Sequence, residues 1–231
     1  MSSVTLGNLA STFKFQRQTG EIKTNMTRLS TELATGLKVD LGKAVGHDFG
    51  PLAGIERSLA TIASYTVVNT EAATMLGAAQ FALENIQSMN DDLAPALLTA
   101  SSATDATLLK ATAGDARQKF STVVSSLNTR IGSRTLFGGA ATDRAAIADA
   151  ETMLADIRTL AATETTAAGV AAVVDAWFDD AGGGFETLGY LGSDRNLGPL
   201  LIADEESVEV TVKADDQALR DTMKAYAMAA L

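Results

Sequence analysis

Between Leu52 and Asn90, side chains suited to a helix seam recur at alternating steps of three and four residues. They are Leu52, Ile55, Leu59, Ile62, Thr66, Asn69, Ala73, Leu76, Gln80, Leu83, Gln87 and Asn90, and the spacing never slips. This is the pattern of a helix that uses one narrow face, as in a coiled coil or a long bundle. At about 1.5 Å per residue, a helix from Leu52 to Leu98 is roughly 60 Å long, about twice the width of a small domain. A compact core cannot enclose such an element. The pattern therefore predicts a rod, at least in part, with other helices lying along it. Ile86, Met89, Leu93 and Leu97 stand one place off the seam. That drift fits a straight helix facing two neighbours better than a two-stranded coil. Gly50 and Pro51 suit a helix start, and Pro95 predicts a kink or stop near Ala94.

Composition narrows the choice further. The chain is 46% hydrophobic but only 5% aromatic, which suits thin helical bundles rather than a thick globule. A net charge of −10 argues against nucleic acid and against an anionic membrane, both of which require a basic surface. No apolar run reaches the ~18 residues of a membrane span. Residues 1–10 lack the basic and apolar regions of a cleavable secretory signal. The absence of cysteine excludes disulfides, thiolate catalysis and cysteine-held zinc.

Taken in order, residues 1 to about 20 are weakly patterned. A seam at Ile22, Met26, Leu29 and Leu33 predicts a first helix, which Gly36 ends in the left-handed conformation. Residues 36–51 read as a loop. Gly42-Lys43 raises a nucleotide phosphate loop, but Leu37 stands where that motif needs glycine and Ala44 where it needs Ser or Thr. Thr99 to Asp105 reads as a polar break, with Ser102 and Asp105 spaced as a capping box. A third helix carries Leu109, Ala113, Ala116, Phe120, Val123, Leu127 and Ile131 on one face, with Arg130 in its last turn and Gly132 closing it. The short connection makes the second and third helices antiparallel neighbours. Beyond Gly139 a helix is predicted over 142–162 with Ile147, Leu154, Ile157 and Ala161 in phase, and another over 167–178 with Trp177 as the core anchor. Val208, Val210 and Val212 alternate with Glu209, Thr211 and Lys213, which predicts a strand paired with Leu200 to Ala203 across the acidic turn Asp204 to Ser207. Asp215 is expected to cap a last helix with Leu219, Met223 and Tyr226 on one face.

The fold expected is mainly α: an elongated antiparallel helical rod with a small α+β insertion domain. Its parts are an N-terminal segment over 1–45, partly disordered, a rod domain over 46–139 and 214–231, and an outer insertion over 140–213. Phe137 is expected to anchor the insertion to the end of the rod.

Nothing here reads as an enzyme, a metal site or a cofactor site. His47 is the only histidine and stands in a glycine-rich loop. The pairs Asp91-Asp92, Asp179-Asp180 and Asp215-Asp216 lack the spaced ligand set of a calcium site. Gly182-Gly183-Gly184 lacks the flanking strand and helix of a dinucleotide fingerprint.

Two motifs are more particular. The run Leu29-Ser30-Thr31-Glu32-Leu33-Ala34-Thr35-Gly36 resembles the end of the first helix in flagellins and hook-associated proteins. Leu127-Asn128-Thr129-Arg130-Ile131-Gly132, followed by Leu136-Phe137-Gly138-Gly139, is similar to the hook–filament junction proteins, the hook-associated protein 3 family. Val208 to Val212 followed by Asp215-Asp216 resembles that family's return from its outer domain. The resemblance touches 1–140 and 205–231. Where the family commonly carries a Ser-Asp-Asp-Pro-like run, this chain has His47 to Pro51, and the family's C-terminal helical segment does not follow Leu231. The expectation is a truncated chain or a divergent member.

The resemblance implies a flagellin-like rod and a structural axial protein of the bacterial flagellum. It implies extracellular placement after type III export without signal cleavage. Implied partners are hook-associated protein 1 and flagellin, self-association in the flagellum, and an export chaperone, with no nucleic acid and no membrane insertion. The structural and assembly residues it implies are Leu29, Leu33, Gly36, Leu127, Asn128, Gly132, Leu136, Phe137, Gly138 and Gly139. Alternative readings are a flagellin filament subunit or a soluble helical binding module, such as a secretion chaperone or an adhesin.

Overall fold

The computed structural model describes residues 5–46, 48–102 and 106–231. His47, and Asp105 of the expected capping box, lie outside that description. The chain is mainly helical, with two small two-stranded antiparallel sheets. It divides into two compact units, Met1–Ala63 and Ser64–Leu231.

The first unit holds helix α1 (Thr5–Thr35), the short α2 (Leu41–Ala44) and the opening of α3 (Gly50–Ser102). α1 starts far earlier than the apolar seam predicts. Its hydrogen-bonded ladder continues through polar sequence, with Thr12, Thr24, Thr27 and Thr31 each donating a hydroxyl to the carbonyl four residues back. None of the described side chains from 7 to 63 is buried. Gly36, at φ +71°, ends the helix as expected.

The second unit holds the rest of α3, α4 (Ala106–Leu127), the hairpin β1 (Arg130–Ile131) and β2 (Arg134–Thr135), α5 (Ala150–Ala161), α6 (Ala167–Asp179), a π-helical turn at Phe185–Gly189, the hairpin β3 (Leu200–Ala203) and β4 (Glu206–Val208), and α7 (Gln217–Ala230). One core runs through it. Phe120, Val123 and Leu127 of α4 meet Leu219, Met223 and Tyr226 of α7, and Met153, Leu154 and Ile157 of α5 join Val174, Trp177 and Phe178 of α6. Residues on either side of positions 140 and 213 thus share a single apolar interior. The indole Nε1 of Trp177 donates to Asp156 at 2.7 Å, which satisfies the one polar atom that burial of that ring would strand.

Several sequence-based expectations shift. α3 passes through Pro95 and Thr99 to Ser102, so neither the stop near Ala94 nor the break at Thr99 occurs. Proline removes only one ladder bond, and the Thr99 hydroxyl donates to the Pro95 carbonyl at 2.8 Å. The buried face of α3 in this unit is Ala72, Met75, Ala82, Ile86 and Leu93, one residue out of phase with the seam, and Leu76, Gln80 and Gln87 are exposed. Small side chains and methionine share that face with Ile86 and Leu93. α4 does run back along α3, because Asn85 donates to the Ser126 hydroxyl near the far end of α4. α4 ends at Leu127, and Arg130 and Gly132 belong to a hairpin instead of a last helical turn. Gly132 supplies φ +58° for that turn.

The helix expected over 142–162 starts only at Ala150, where the Asp149 carboxylate accepts from the Glu151 and Thr152 amides. Ile147 is buried, but in an extended bridge to Tyr190. The β3–β4 hairpin forms with Leu200 opposite Val208, and its turn narrows to Asp204-Glu205. The strand ends at Val208 rather than Lys213, and residues 209–213 pair with no strand among the described residues. The alternation survives as burial, with Val210 and Val212 half-buried between exposed Glu209 and Thr211. The cap of α7 is Asp216, whose carboxylate accepts from the Lys213 amide at 3.1 Å. Asp215 pairs with the Lys213 ammonium instead.

Candidate functional site

Seven of the residues singled out by sequence lie in one stretch, Leu127 to Gly139, at the foot of α4. Leu127 is fully buried and closes the helix against the core. The next residue, Asn128, spends its whole side-chain amide on one incoming segment. Its Nδ2 donates to the Ile147 carbonyl at 2.8 Å, and its Oδ1 accepts from the Ala146 and Ile147 amides at 2.8 and 2.9 Å. A carboxylate could not donate, and a hydroxyl could not span both carbonyl and amides. Thr135 is buried and donates its hydroxyl to the Arg144 carbonyl, while its amide donates to Thr142. The 142–147 segment is thereby held from both sides of the β1–β2 hairpin.

Leu136 and Phe137 turn inward, and Phe137 is 1% exposed. Its carbonyl accepts from the Ala214 amide at 2.9 Å, the residue that leads into α7. The two glycines that follow are required by space. A Cβ on Gly138 would stand 2.6 Å from the Ala141 carbonyl oxygen. Gly139 has φ +59°, and a Cβ there would stand 2.7 Å from the Ser193 carbonyl oxygen and closer still to that of Arg195. The same backbone groups are hydrogen-bonded: Ser193 donates to Gly138 at 3.0 Å, and Ala140 donates to Arg195 at 2.9 Å. Leu-Phe-Gly-Gly thus draws three separate stretches, 137–141, 193–195 and 213–214, into one stitch.

Gly132 is the remaining member of this stretch. It shapes the hairpin, which is tied to α3 by an ion pair between Arg134 and Glu71 at 3.1 Å. Leu29, Leu33 and Gly36 sit at the end of α1 in the first unit, where Leu33 is 88% exposed. They form a separate group. There the Glu32 carboxylate, only 11% exposed, accepts from the Lys38 ammonium at 2.9 Å and the Val39 amide at 3.3 Å. The Lys38 hydrogen bond, more than any other contact, holds this carboxyl below the usual glutamate range.

Sequence reasoning missed the receiving side of the stitch: Ala146, Ile147, Ser193, Arg195 and Ala214. Their part is played by backbone groups, which leave no signature in side-chain type. It also missed the aromatic cluster of Phe178, Phe185 and Tyr190 around Trp177, where the Arg220 guanidinium lies 4.7 Å above the Phe185 ring. No group of three or more His, Cys, Asp or Glu among the described residues is placed to hold a metal ion. Among the same residues, no helix is long and apolar enough to cross a membrane.

No protein-family model, curated protein or solved structure matches the chain. The arrangement around Asn128 and Phe137 positions backbone and buries apolar surface.

Proposed function

We propose that the chain is a structural axial component of the bacterial flagellum that joins hook to filament, similar to hook-associated protein 3. It is not an enzyme on this reading. The observation that carries the proposal is the stitch at Leu136 to Gly139. The motif that resembles the junction family stands where two adjacent positions accept only glycine and where the preceding phenylalanine is buried. A recurring sequence is best explained when its geometry demands each residue.

A flagellin-like rod would be built from α3, α4 and α7, with the part between Gly139 and Ala214 facing outward. Export without signal cleavage, placement outside the cell, and contacts with hook-associated protein 1, flagellin and an export chaperone belong to the same proposal. The exposed apolar residues along α1, from Leu9 to Leu33, support it as a surface that an assembly would cover.

Deletion of the gene in the encoding organism tests this reading. The expected result is completed hooks without filaments, with flagellin released into the medium. Normal filaments and motility in the deletion strain would overturn it.

A further inference from the structure

α1 carries most of its large apolar side chains on one line. Asn8, Thr12, Phe15, Thr19, Ile22, Met26, Leu29 and Leu33 recur at alternating steps of four and three along this 31-residue helix. That is a seven-residue repeat, the period at which two helices wind about each other. Phe15, Ile22, Met26, Leu29 and Leu33 are each between 54% and 88% exposed. Leu9 flanks the line and Phe13 stands off it. The Thr12 hydroxyl already donates to the Asn8 carbonyl at 2.8 Å, so covering it strands no donor. A hollow of about 350 Å³ opens at the end of the line beside Leu29, Leu33 and Leu37, where leucine side chains of another helix fit.

Length, area and register decide what covers this line. The part of α3 in the same unit, residues 50–63, is less than half as long as α1 and cannot cover it. A second α1 matches it from end to end. Five large side chains at that exposure, with the threonines between them, offer roughly 700–900 Å² per copy, and a stable interface needs ~800 Å² per partner. Register then selects direction. In a parallel pair each layer meets its own kind, threonine against threonine and leucine against leucine. The flanking residues pair as Ser11 with Gln16, Gln18 with Lys23 and Asn25 with Ser30, and no like charges oppose. Antiparallel pairing centred on Ile22 and Met26 sets Thr19 against Leu29 and one Lys23 against the other.

We propose that α1 pairs with α1 of a second copy of this chain, as a parallel, in-register, two-stranded coiled coil over residues 8–33. The pairing goes beyond the flagellar reading and does not rest on it. Three polar layers place it at the weak end of such interfaces, with a dissociation constant of about 10 µM. Well below that concentration α1 is a single helix whose amides exchange fast.

Sedimentation equilibrium of the full chain, over about 1–200 µM, tests the pairing. Monomer should pass to dimer across that range, and amide protection in α1 should rise with concentration while that in α4 and α7 stays constant. Leu29→Lys alters a side chain that is exposed in the monomer. It should weaken the dimer by about tenfold or more, because it buries a charge in the seam, without lowering the melting temperature of the second unit. Thr24→Lys, on the opposite side of the helix, should leave the affinity unchanged. The chain has no cysteine, so a single introduced thiol reports direction. Thr19→Cys should cross-link to its own copy on mild oxidation far faster than Thr24→Cys, since parallel in-register pairing brings the two residues 19 together. A monomer throughout the range, a dimer untouched by Leu29→Lys, or cross-linking of Thr19→Cys no faster than that of Thr24→Cys would each overturn the proposal.

Discussion

At the scale of single residues, two of the glycines with positive φ separate conformation from space. Gly139 and Gly182 have φ +59° and +73°, but only Gly139 is hemmed in, and nothing lies within 4 Å of a Cβ at Gly182. Gly182→Ala should therefore cost only the left-handed penalty of about 1–2 kcal/mol. Gly139→Ala must also push apart two backbone strands and should cost clearly more, about 3 kcal/mol or above. Thermal unfolding of both variants checks the ordering, and equal losses would show that the stitch yields easily. Tyr226 makes a different point. It is fully buried in the core, yet its hydroxyl has no hydrogen-bond partner among the described residues. Burial, with the charges of Asp115 and Asp92 behind it, pushes its phenol up to about 12. The folded state thus holds this proton more tightly than the unfolded one. The associated stability is complete below the ordinary tyrosine value near 10 and is lost as pH rises from there toward about 12. Tyr226→Phe should remove that alkaline loss and raise stability at neutral pH by about 1 kcal/mol, since it deletes an unsatisfied polar atom. A variant less stable than the parent at neutral pH would show that the hydroxyl is satisfied in solution.

At the scale of elements, the end of α1 is closed by a clasp rather than by a core. Glu32 ties Lys38 and the Val39 amide back to the helix, and its carboxyl is held below the ordinary glutamate value, chiefly by Lys38. A depressed carboxyl favours the folded arrangement above the unfolded value and loses that contribution as pH falls through the folded one. Side-chain carboxyl ¹³C shifts should place Glu32 below the ordinary glutamate range, and Lys38→Ala should move it upward. An unmoved titration would mean that the ion pair does not form. Elements also show what the sequence could and could not say. The faces of α4 and α7 were readable, because Phe120, Val123 and Leu127, and Leu219, Met223 and Tyr226, are large apolar residues at helical spacing with one buried side. The β3–β4 hairpin was readable from the acidic turn between two apolar runs, whereas the period-two alternation of Val208 to Val212 lies mostly beyond β4. The phase of α3 was not, because its contacts use Ala72, Ala82 and Met75, and the leucine seam outweighs them to the eye. The ends of α4 and α5 were misplaced because Asn128 and Asp149 stop and start them by hydrogen bonds to backbone groups far away or just ahead. Of the candidate site, Phe137 and the two glycines were legible as a motif. Their partners, Ser193, Arg195 and Ala214, take part through main chain alone.

At the scale of the whole molecule, the two units differ in what holds them. The second has a continuous apolar interior from Met75 to Ala230. The first has no buried side chain among the described residues of 7–63, and a lone helix draws little stability from its own ladder. Amide exchange should therefore be fast through most of α1, with opening energies near zero, and slowest in α4 and α7, where opening approaches global unfolding. Protection in α1 equal to that in α4 would require a covering partner in solution. On the proposed reading, the exposed apolar line of α1 is surface for an assembly to cover, and the second unit supplies the apolar core. The flagellar account turns on where the protein resides. Gold-labelled antibody against the chain, applied to flagella isolated from the encoding organism, measures this directly. The account predicts label confined to the boundary between hook and filament. Label spread along the filament, or absent from the flagellum altogether, would contradict it.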